Sequence, residues 1–301
     1  MDSTNQKLSV LIVSATGQLG ALITKHALAN SKLQVNILVR DPTKNKELVE
    51  QVEKAGGKVF KADLTDPQTF KGVTKGIHTV ISAVNSYDDK IAVDGQINLL
   101  NEALASGVTR FAPSDYGVNY TKFTREELSR SAVISPKFKF QDYLDKTPIK
   151  QLHFYQGNIT ETFFWVQSMG FGYWGDSSIK YDITTYNDIA KVVAEAVTNP
   201  ELTGDVIYSG EKLSIHEIAD IYNKVRGTNI QPKNKGSVEE LKKLYDEARQ
   251  KGDANADFLG LFLIQADKRS TFDRTSNDDF PQIKPTSVEE FLKQRTDIIL
   301  Q

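Results

Sequence analysis

The chain has 301 residues, long enough for a sizeable core in one large domain or in two that share the chain. Hydrophobic residues at 39%, charged residues at 25% and a net charge of −2 give no electrostatic case for binding nucleic acid or an anionic membrane surface. The absence of cysteine excludes disulfides, thiolate metal sites and cysteine nucleophiles.

The opening M-D-S-T-N-Q-K has no apolar core of a signal peptide, and no apolar run reaches membrane-spanning length, so a cytoplasmic location is expected. Val10 to Val13 then reads as a strand buried on both faces of a parallel sheet. A turn of small residues follows, and Gln18 to Asn30 has the pattern of an amphipathic helix. Strand, glycine turn and helix form the setting of a dinucleotide-binding fingerprint. Its three positions are Ala15, Gly17 and Gly20, or Ser14, Gly17 and Gly20; in either register the first glycine is replaced by a larger residue. Thr16, Gly17, Gln18, Leu19 and Gly20 are the expected pyrophosphate cradle, held by backbone N–H groups and the positive end of the helix dipole. The bland alternative is a tight turn with no ligand.

A second strand, Leu33 to Val39, ends at Arg40, where an NAD-binding fold usually places an acid on the ribose 2′-hydroxyl. Arg40 and Lys44 suit the 2′-phosphate of NADP instead, which makes NAD the less favoured coenzyme; Asp41 is the competing acid. Pro42 should open a helix to Lys54, ended by Gly56-Gly57, and Lys58 to Ala62 a third strand with Asp63 at its end. A helix opened by Asp66-Pro67, a fourth strand from Ile77 to Val84, a long helix from Asp88 to Ser106 and a fifth strand from Val108 to Pro113 follow. This alternation implies a Rossmann-type, doubly wound α/β sheet, with ligands beyond the carboxyl ends of its strands. Ala83 and Val84 at one such end, with Asp63, should line the adenosine end.

The fifth strand runs into F-A-P-S-D-Y-G, a helix begins at Ser135-Pro136, and a sixth strand, Pro148 to Tyr155, leads to Gln156 to Thr160. The aromatic segments Phe163 to Trp165 and Phe171 to Trp174 read equally as a wall for a flat apolar ligand or as core. A strand from about 178 to 183, a helix capped by Asp188, a strand from 205 to 208 and helices near 214–226, 237–250, 254–267 and 286–298 complete the chain. The charged run at 233–251 reads as a solvated helix face. His26, His153 and His216 are scattered and His78 sits at the wrong end of its strand, so no metal site is expected. Tyr208 to Lys212 matches the string Tyr-x-x-x-Lys but lies too late in the chain, before a capping box from Ser214 to Glu217.

S-A-T-G-Q-L-G, L-V-R-D-P, A-D-L-T-D, V-I-S-A-V, F-A-P-S-D-Y-G and F-G-Y-W-G-D followed by Tyr186 to Ala190 together resemble the NmrA-like family of atypical short-chain dehydrogenase/reductases, near its isoflavone-reductase-like branch. The likeness covers roughly residues 8 to 210 well and the remainder weakly. It implies a general acid or base lysine on the helix after the fifth strand, and Lys137 is the matching position. Such a lysine, beside a cationic nicotinamide and near a helix N-terminus, suits proton transfer near neutrality. Lys139, two residues on, should point elsewhere. Tyr116 stands where the family commonly has phenylalanine and adds a donor to the substrate pocket. Gly157 and Asn158 should border the nicotinamide.

The implied organisation is a coenzyme domain over 1–155, joined by strands from about 179–210, and a smaller, mainly helical substrate lobe over 156–301. The implied protein is a monomeric or homodimeric NADPH-dependent reductase of a small apolar conjugated or carbonyl-bearing substrate. The alternative is an NAD(P)-sensing regulator that binds a protein partner without turnover.

Overall fold

In the computed structural model, residues 7–300 are described; the N-terminal stretch read for a leader lies, but for Lys7, outside them. The elements begin with β1 (Leu8–Val13), α1 (Gln18–Leu28), β2 (Leu33–Val39), α2 (Lys46–Lys54), β3 (Val59–Lys61), β4 (Thr79–Ser82), α3 (Gln96–Ala105) and β5 (Arg110–Ala112). The middle of the chain holds α4 (Arg125–Leu128), α5 (Ser135–Leu144), β6 (Lys150–Tyr155), β7 (Asn158–Ile159), α6 (Thr160–Ser168), β8 (Gly172–Tyr173), β9 (Lys180–Thr184) and α7 (Tyr186–Ala196). It ends with β10 (Gly204–Ile207), β11 (Glu211–Ser214), α8 (Ile215–Arg226), β12 (Lys233–Asn234), α9 (Val238–Lys251), α10 (Ala256–Gln265) and α11 (Val288–Gln294). The chain divides into two compact units. The first runs to Asp115 and adds Lys139–Phe154 and Ile189–Val206; the second takes Tyr116–Phe138, Tyr155–Asp188 and the chain from Ile207 onward.

The first unit is built on a seven-stranded sheet of order β10-β6-β5-β4-β1-β2-β3. The pairs β1–β2, β1–β4, β2–β3, β4–β5 and β5–β6 are all parallel. The strand order reverses at β1, the switch point beyond whose strand ends ligands of such sheets bind. Strand periodicity of two sends Leu11 and Val13 to one face, where they pack with Val80, Phe111, Leu99, Phe140 and Leu144. Asn36 is buried with its amide satisfied: it donates to Ser9 Oγ and the Val10 carbonyl, and accepts from Lys58 N–H, so it ties β1, β2 and the start of β3.

The second unit has a three-stranded sheet, β11-β9-β7, and a two-stranded one, β12-β8. Its main core packs Phe163, Phe164, Phe171, Tyr181, Ile183, Ile218, Phe291 and Leu292. Capping boxes at Thr124, Ser214, Ser237 and Ser287, each with a glutamate three residues on, open α4, α8, α9 and α11. Gly227 and Gly252, at φ 67° and 65°, end α8 and α9 in the left-handed region.

Several elements differ from the sequence expectation. The helix from Pro42 is two pieces, a 3₁₀ turn (Pro42–Asn45) and α2, because Asn45 caps afresh by accepting from Leu48 N–H. After Pro67 only a 3₁₀ turn to Phe70 forms, since Gly72 and Gly76 at positive φ bend the chain away. The long helix is π-helical over Lys90–Gly95 before α3, with Gly95 pressed on Leu64. Asp188 does not cap α7: its N–H donates to Thr185 Oγ1, and its carboxylate accepts from Thr286 N–H. Of the two strands expected to join the large sheet, β10 does, while β9 pairs with β7 and β11.

Candidate functional site

The turn after β1 is built from its glycines. Gly17 N–H donates to the Ser14 carbonyl at 2.9 Å, and α1 begins at Gln18 with Gly17 extended at its N-cap. A Cβ on Gly20 would lie 2.2 Å from the Ser14 carbonyl oxygen, so only glycine lets the first turn of α1 close on the strand end. Gly17 and Gln18 are exposed and Thr16 half-buried, whereas Leu19 and Gly20 are buried. The first-turn N–H groups of α1 have no acceptor within the helix and face the turn where an anion is stabilised. Ser14, where the first glycine of a fingerprint would stand, has φ 60°, the one non-glycine residue at positive φ among the described residues. The backbone therefore keeps the glycine conformation without the glycine, a strain of about 1 kcal/mol or more.

At the position expected to meet the ribose, Asp41 is engaged locally. Its carboxylate accepts from Thr43 N–H at 2.9 Å and Thr43 Oγ1 at 2.7 Å, capping the 3₁₀ turn. Those bonds, with weaker attraction from Lys44 and Lys61, hold it below the usual carboxylate range. Arg40 and Lys44 are exposed beside it. Asp63 is likewise committed, accepting from Thr65 N–H and Oγ1; those bonds and, less strongly, the Arg40 charge lower its pKa. Ala83 and Val84 are buried at the end of β4, where Ser114 Oγ donates to the Val84 carbonyl at 2.6 Å. The carboxyl ends of β1, β2, β3 and β4 thus carry a cradle, two exposed cations and two carboxylates turned to local caps. These residues fit a phosphorylated dinucleotide: exposed Gly17 and Gln18 leave the N-terminal N–H groups of α1 open to an anion, and two exposed cations, Arg40 and Lys44, stand at the expected ribose end.

In the second unit Lys137 occupies the first turn of α5, half-buried, and its Nζ donates to the Tyr116 carbonyl at 3.2 Å. Tyr116 is itself buried. Lys139, by contrast, belongs to the first unit and pairs with Asp89 at 2.6 Å. Gly157, at φ 71°, lies against Asp182: a Cβ there would come 2.3 Å from the Asp182 carbonyl oxygen. The Asn158 side chain is tied to Gln265, whose Nε2 donates to Asn158 Oδ1 at 2.7 Å. Both therefore have evident packing roles in this unit. Of the aromatic segments, Phe163, Phe164 and Phe171 are core, while Trp165 is 55% exposed. The Tyr-x-x-x-Lys string is structural: Tyr208 Oη donates to the Ile283 carbonyl, burial pushes the Tyr208 phenol up to about 12, and the Lys212 amine donates to the Phe272 carbonyl.

Two polar groups escaped the sequence reading. Arg110, fully buried at the start of β5, donates to the carbonyls of Val197, Asn199 and Leu202 and to Thr79 Oγ1. It closes the end of α7, and burial lowers its pKa to about 10. Asp115, within the loop motif, receives His153 Nδ1 at 2.7 Å, both groups buried. Burial alone would depress the imidazole, but the Asp115 carboxylate, with Asp205 and Asp145 beyond, outweighs it and raises the His153 pKa. The pairing of a buried acid with a histidine 38 residues away had no local signal in the sequence. Among the described residues no group of three or more His, Asp or Glu side chains could hold a metal ion, and no helix is long and apolar enough to cross a membrane.

The strand order and glycine turn define a Rossmann-type α/β fold. A model of the NmrA-like family matches residues 6–292, and the chain belongs to that family. It is 24% identical to isoflavone reductase homolog P3 of Arabidopsis thaliana, over 95% of this chain and 98% of the relative. It is 25% identical to an NmrA-like family domain-containing oxidoreductase of Gibberella moniliformis, over 94% and 97%. Among solved structures, the leucoanthocyanidin reductase–NADPH binary complex from Vitis vinifera superposes with a TM-score of 0.75 at 20% identity, covering 95% of this chain and 98% of the other.

Proposed function

We propose that this protein is an NADPH-dependent reductase that transfers hydride to a small apolar conjugated or carbonyl-bearing substrate, with Lys137 as the proton donor. The observation that carries the coenzyme assignment is the ribose end: Asp41 spends Oδ1 on its own cap, and Arg40 and Lys44 stand exposed beside it. An acid free to take a ribose hydroxyl would favour NAD; an exposed guanidinium favours a 2′-phosphate. Relatives named as isoflavone, pinoresinol and leucoanthocyanidin reductases support the reaction class, the last two solved with NADP+ or NADPH.

When bound, the coenzyme supplies the hydride. The backbone of Thr16 to Gly20 holds the pyrophosphate, Arg40 with Lys44 reads the 2′-phosphate, and Asp63, Ala83 and Val84 line the adenosine end. Gly157 and Asn158 would border the nicotinamide. Lys137, its amine oriented by the Tyr116 carbonyl, delivers a proton to the substrate atom that carries the developing negative charge, and is reprotonated from solvent. Tyr116 lends its ring to the substrate wall.

The test is NADPH consumption against a panel of enones, quinones and aldehydes, with Lys137→Ala as the partner variant. Loss of a general acid lowers kcat by about 10²- to 10⁴-fold while leaving coenzyme affinity within about threefold. An unchanged kcat in the variant removes Lys137 from the reaction. Coenzyme binding without turnover on any compound leaves the sensor reading, a protein that binds NAD(P) and a protein partner.

A further inference from the structure

On the second unit, α6 and α10 present an aromatic surface that its core does not absorb. Gly260 fixes how α10 sits: a Cβ there would lie 1.8 Å from the Arg130 carbonyl oxygen, so this side of the helix is pressed onto the segment before α5. Residues two positions away lie about 200° around a helix, which turns Phe258 and Phe262 to the opposite side, and both retain exposure. Phe258 meets Trp165 of α6, ring centroids 6.1 Å apart. One turn further along α6 is Met169, 62% exposed. One turn further along α10 is Phe262, and over its ring, 5.5 Å from the centroid, is the Lys235 amine. That amine donates to the Gly170 carbonyl at 2.7 Å, just past Met169, so the two helices and the lysine form one continuous face.

Lys235 is an unusual cation to find there. Burial lowers its pKa, and no carboxylate offsets the shift. Its only hydrogen-bond acceptor among the described residues is the Gly170 carbonyl, leaving two of three N–H donors for a ligand. A Cβ on Gly172 would come within 3.1 Å of Lys235 Cε, so glycine there admits the lysine stem alongside the strand. A half-buried ammonium at the end of an apolar, aromatic strip, with no carboxylate paired to it among the described residues, is complementary to an anion attached to a flat apolar body.

We propose that Trp165, Met169, Phe258 and Phe262 bind the ring system of an aromatic acid, and that Lys235 selects it by its carboxylate or phenolate. This is a binding site in addition to the proposed reductase site, and it does not rest on that reading. The experiment therefore measures binding without coenzyme. The folded wild-type protein is titrated calorimetrically with 2-naphthoate and with 2-naphthalenemethanol, which share a ring and differ in charge. The acid is expected to bind about tenfold tighter, with the preference narrowing at high salt. Lys235→Met removes the preference, Lys235→Arg keeps it, and Trp165→Ala, at an exposed position, weakens both ligands alike. Equal affinity for the two ligands, a preference that survives Lys235→Met, or binding of neither overturns the proposal. Where Lys235→Met does not fold, the salt dependence and the Lys235→Arg and Trp165→Ala results decide. Turnover of neutral enones with NADPH alongside a failed titration would sink this inference alone; absent coenzyme binding alongside a successful one would sink the reductase reading alone.

Discussion

Replacing Arg40 by glutamine tests the coenzyme assignment at the residue that carries it. The side chain is exposed at the end of β2, so its bond to a 2′-phosphate is charge-assisted but screened. A hydrogen bond to a charged group contributes about 1.5–3 kcal/mol; exposure puts Arg40 near the lower figure, on the order of tenfold in Kd. Removing the cation also leaves Asp63, whose pKa Arg40 helps to lower, as an unopposed negative charge near the phosphate. NADH has no 2′-phosphate, so its affinity should move by less than about threefold. The assay is a fluorescence titration of wild type and Arg40→Gln with both coenzymes at low and high salt. Wild-type NADPH binding should weaken with salt more than the variant's. Equal losses for NADPH and NADH, or no loss for either, would refute the reasoning, because the guanidinium would then not be reading the extra phosphate.

Ser14→Gly places the permissive residue at φ 60°, and should raise the unfolding free energy measured in urea by up to about 1 kcal/mol without weakening NADPH binding; a destabilised protein would show that Ser14 carries no strain. Arg110→Met leaves the Val197, Asn199 and Leu202 carbonyls without their buried donor and should cost about 3–5 kcal/mol in urea unfolding, whereas a loss under about 1 kcal/mol would mean that they find other partners. His153 has a folded-state pKa above its ordinary value of 6.5, so its stabilising contribution is complete below about pH 6.5 and fades as pH rises through the raised value. Urea midpoints of wild type should therefore fall across that alkaline window relative to those of His153→Asn; parallel pH curves would contradict the Asp115–His153 account.

What was legible in the sequence was local. Val10 to Gly20 specified strand, turn and helix because each step depends on neighbours within four residues, and the close approach of Gly20 to Ser14 is a contact across six. The Ser214 box was readable for the same reason. Arg110 could not be recognised, since its carbonyl acceptors lie 87 to 92 residues ahead and nothing in a short strand marks an arginine as buried. The Asp115–His153 pair and the Asn158–Gln265 bond are long-range in the same way. The pairing of β9 with β7 and β11 rather than with the large sheet is a topological choice, and apolar alternation is blind to it. The left-handed Ser14 was half-visible: the pattern showed a missing glycine, but only the backbone shows that its conformation was kept.

Calorimetric titration of the purified wild-type protein with NADPH and with NADH tests the central claim most directly. A cradle formed by Ser14 to Gly20 with Arg40 at the ribose end predicts one NADPH per chain at micromolar affinity, and NADH bound at least about tenfold more weakly. Heat from neither coenzyme, or tighter binding of NADH than of NADPH, would contradict it.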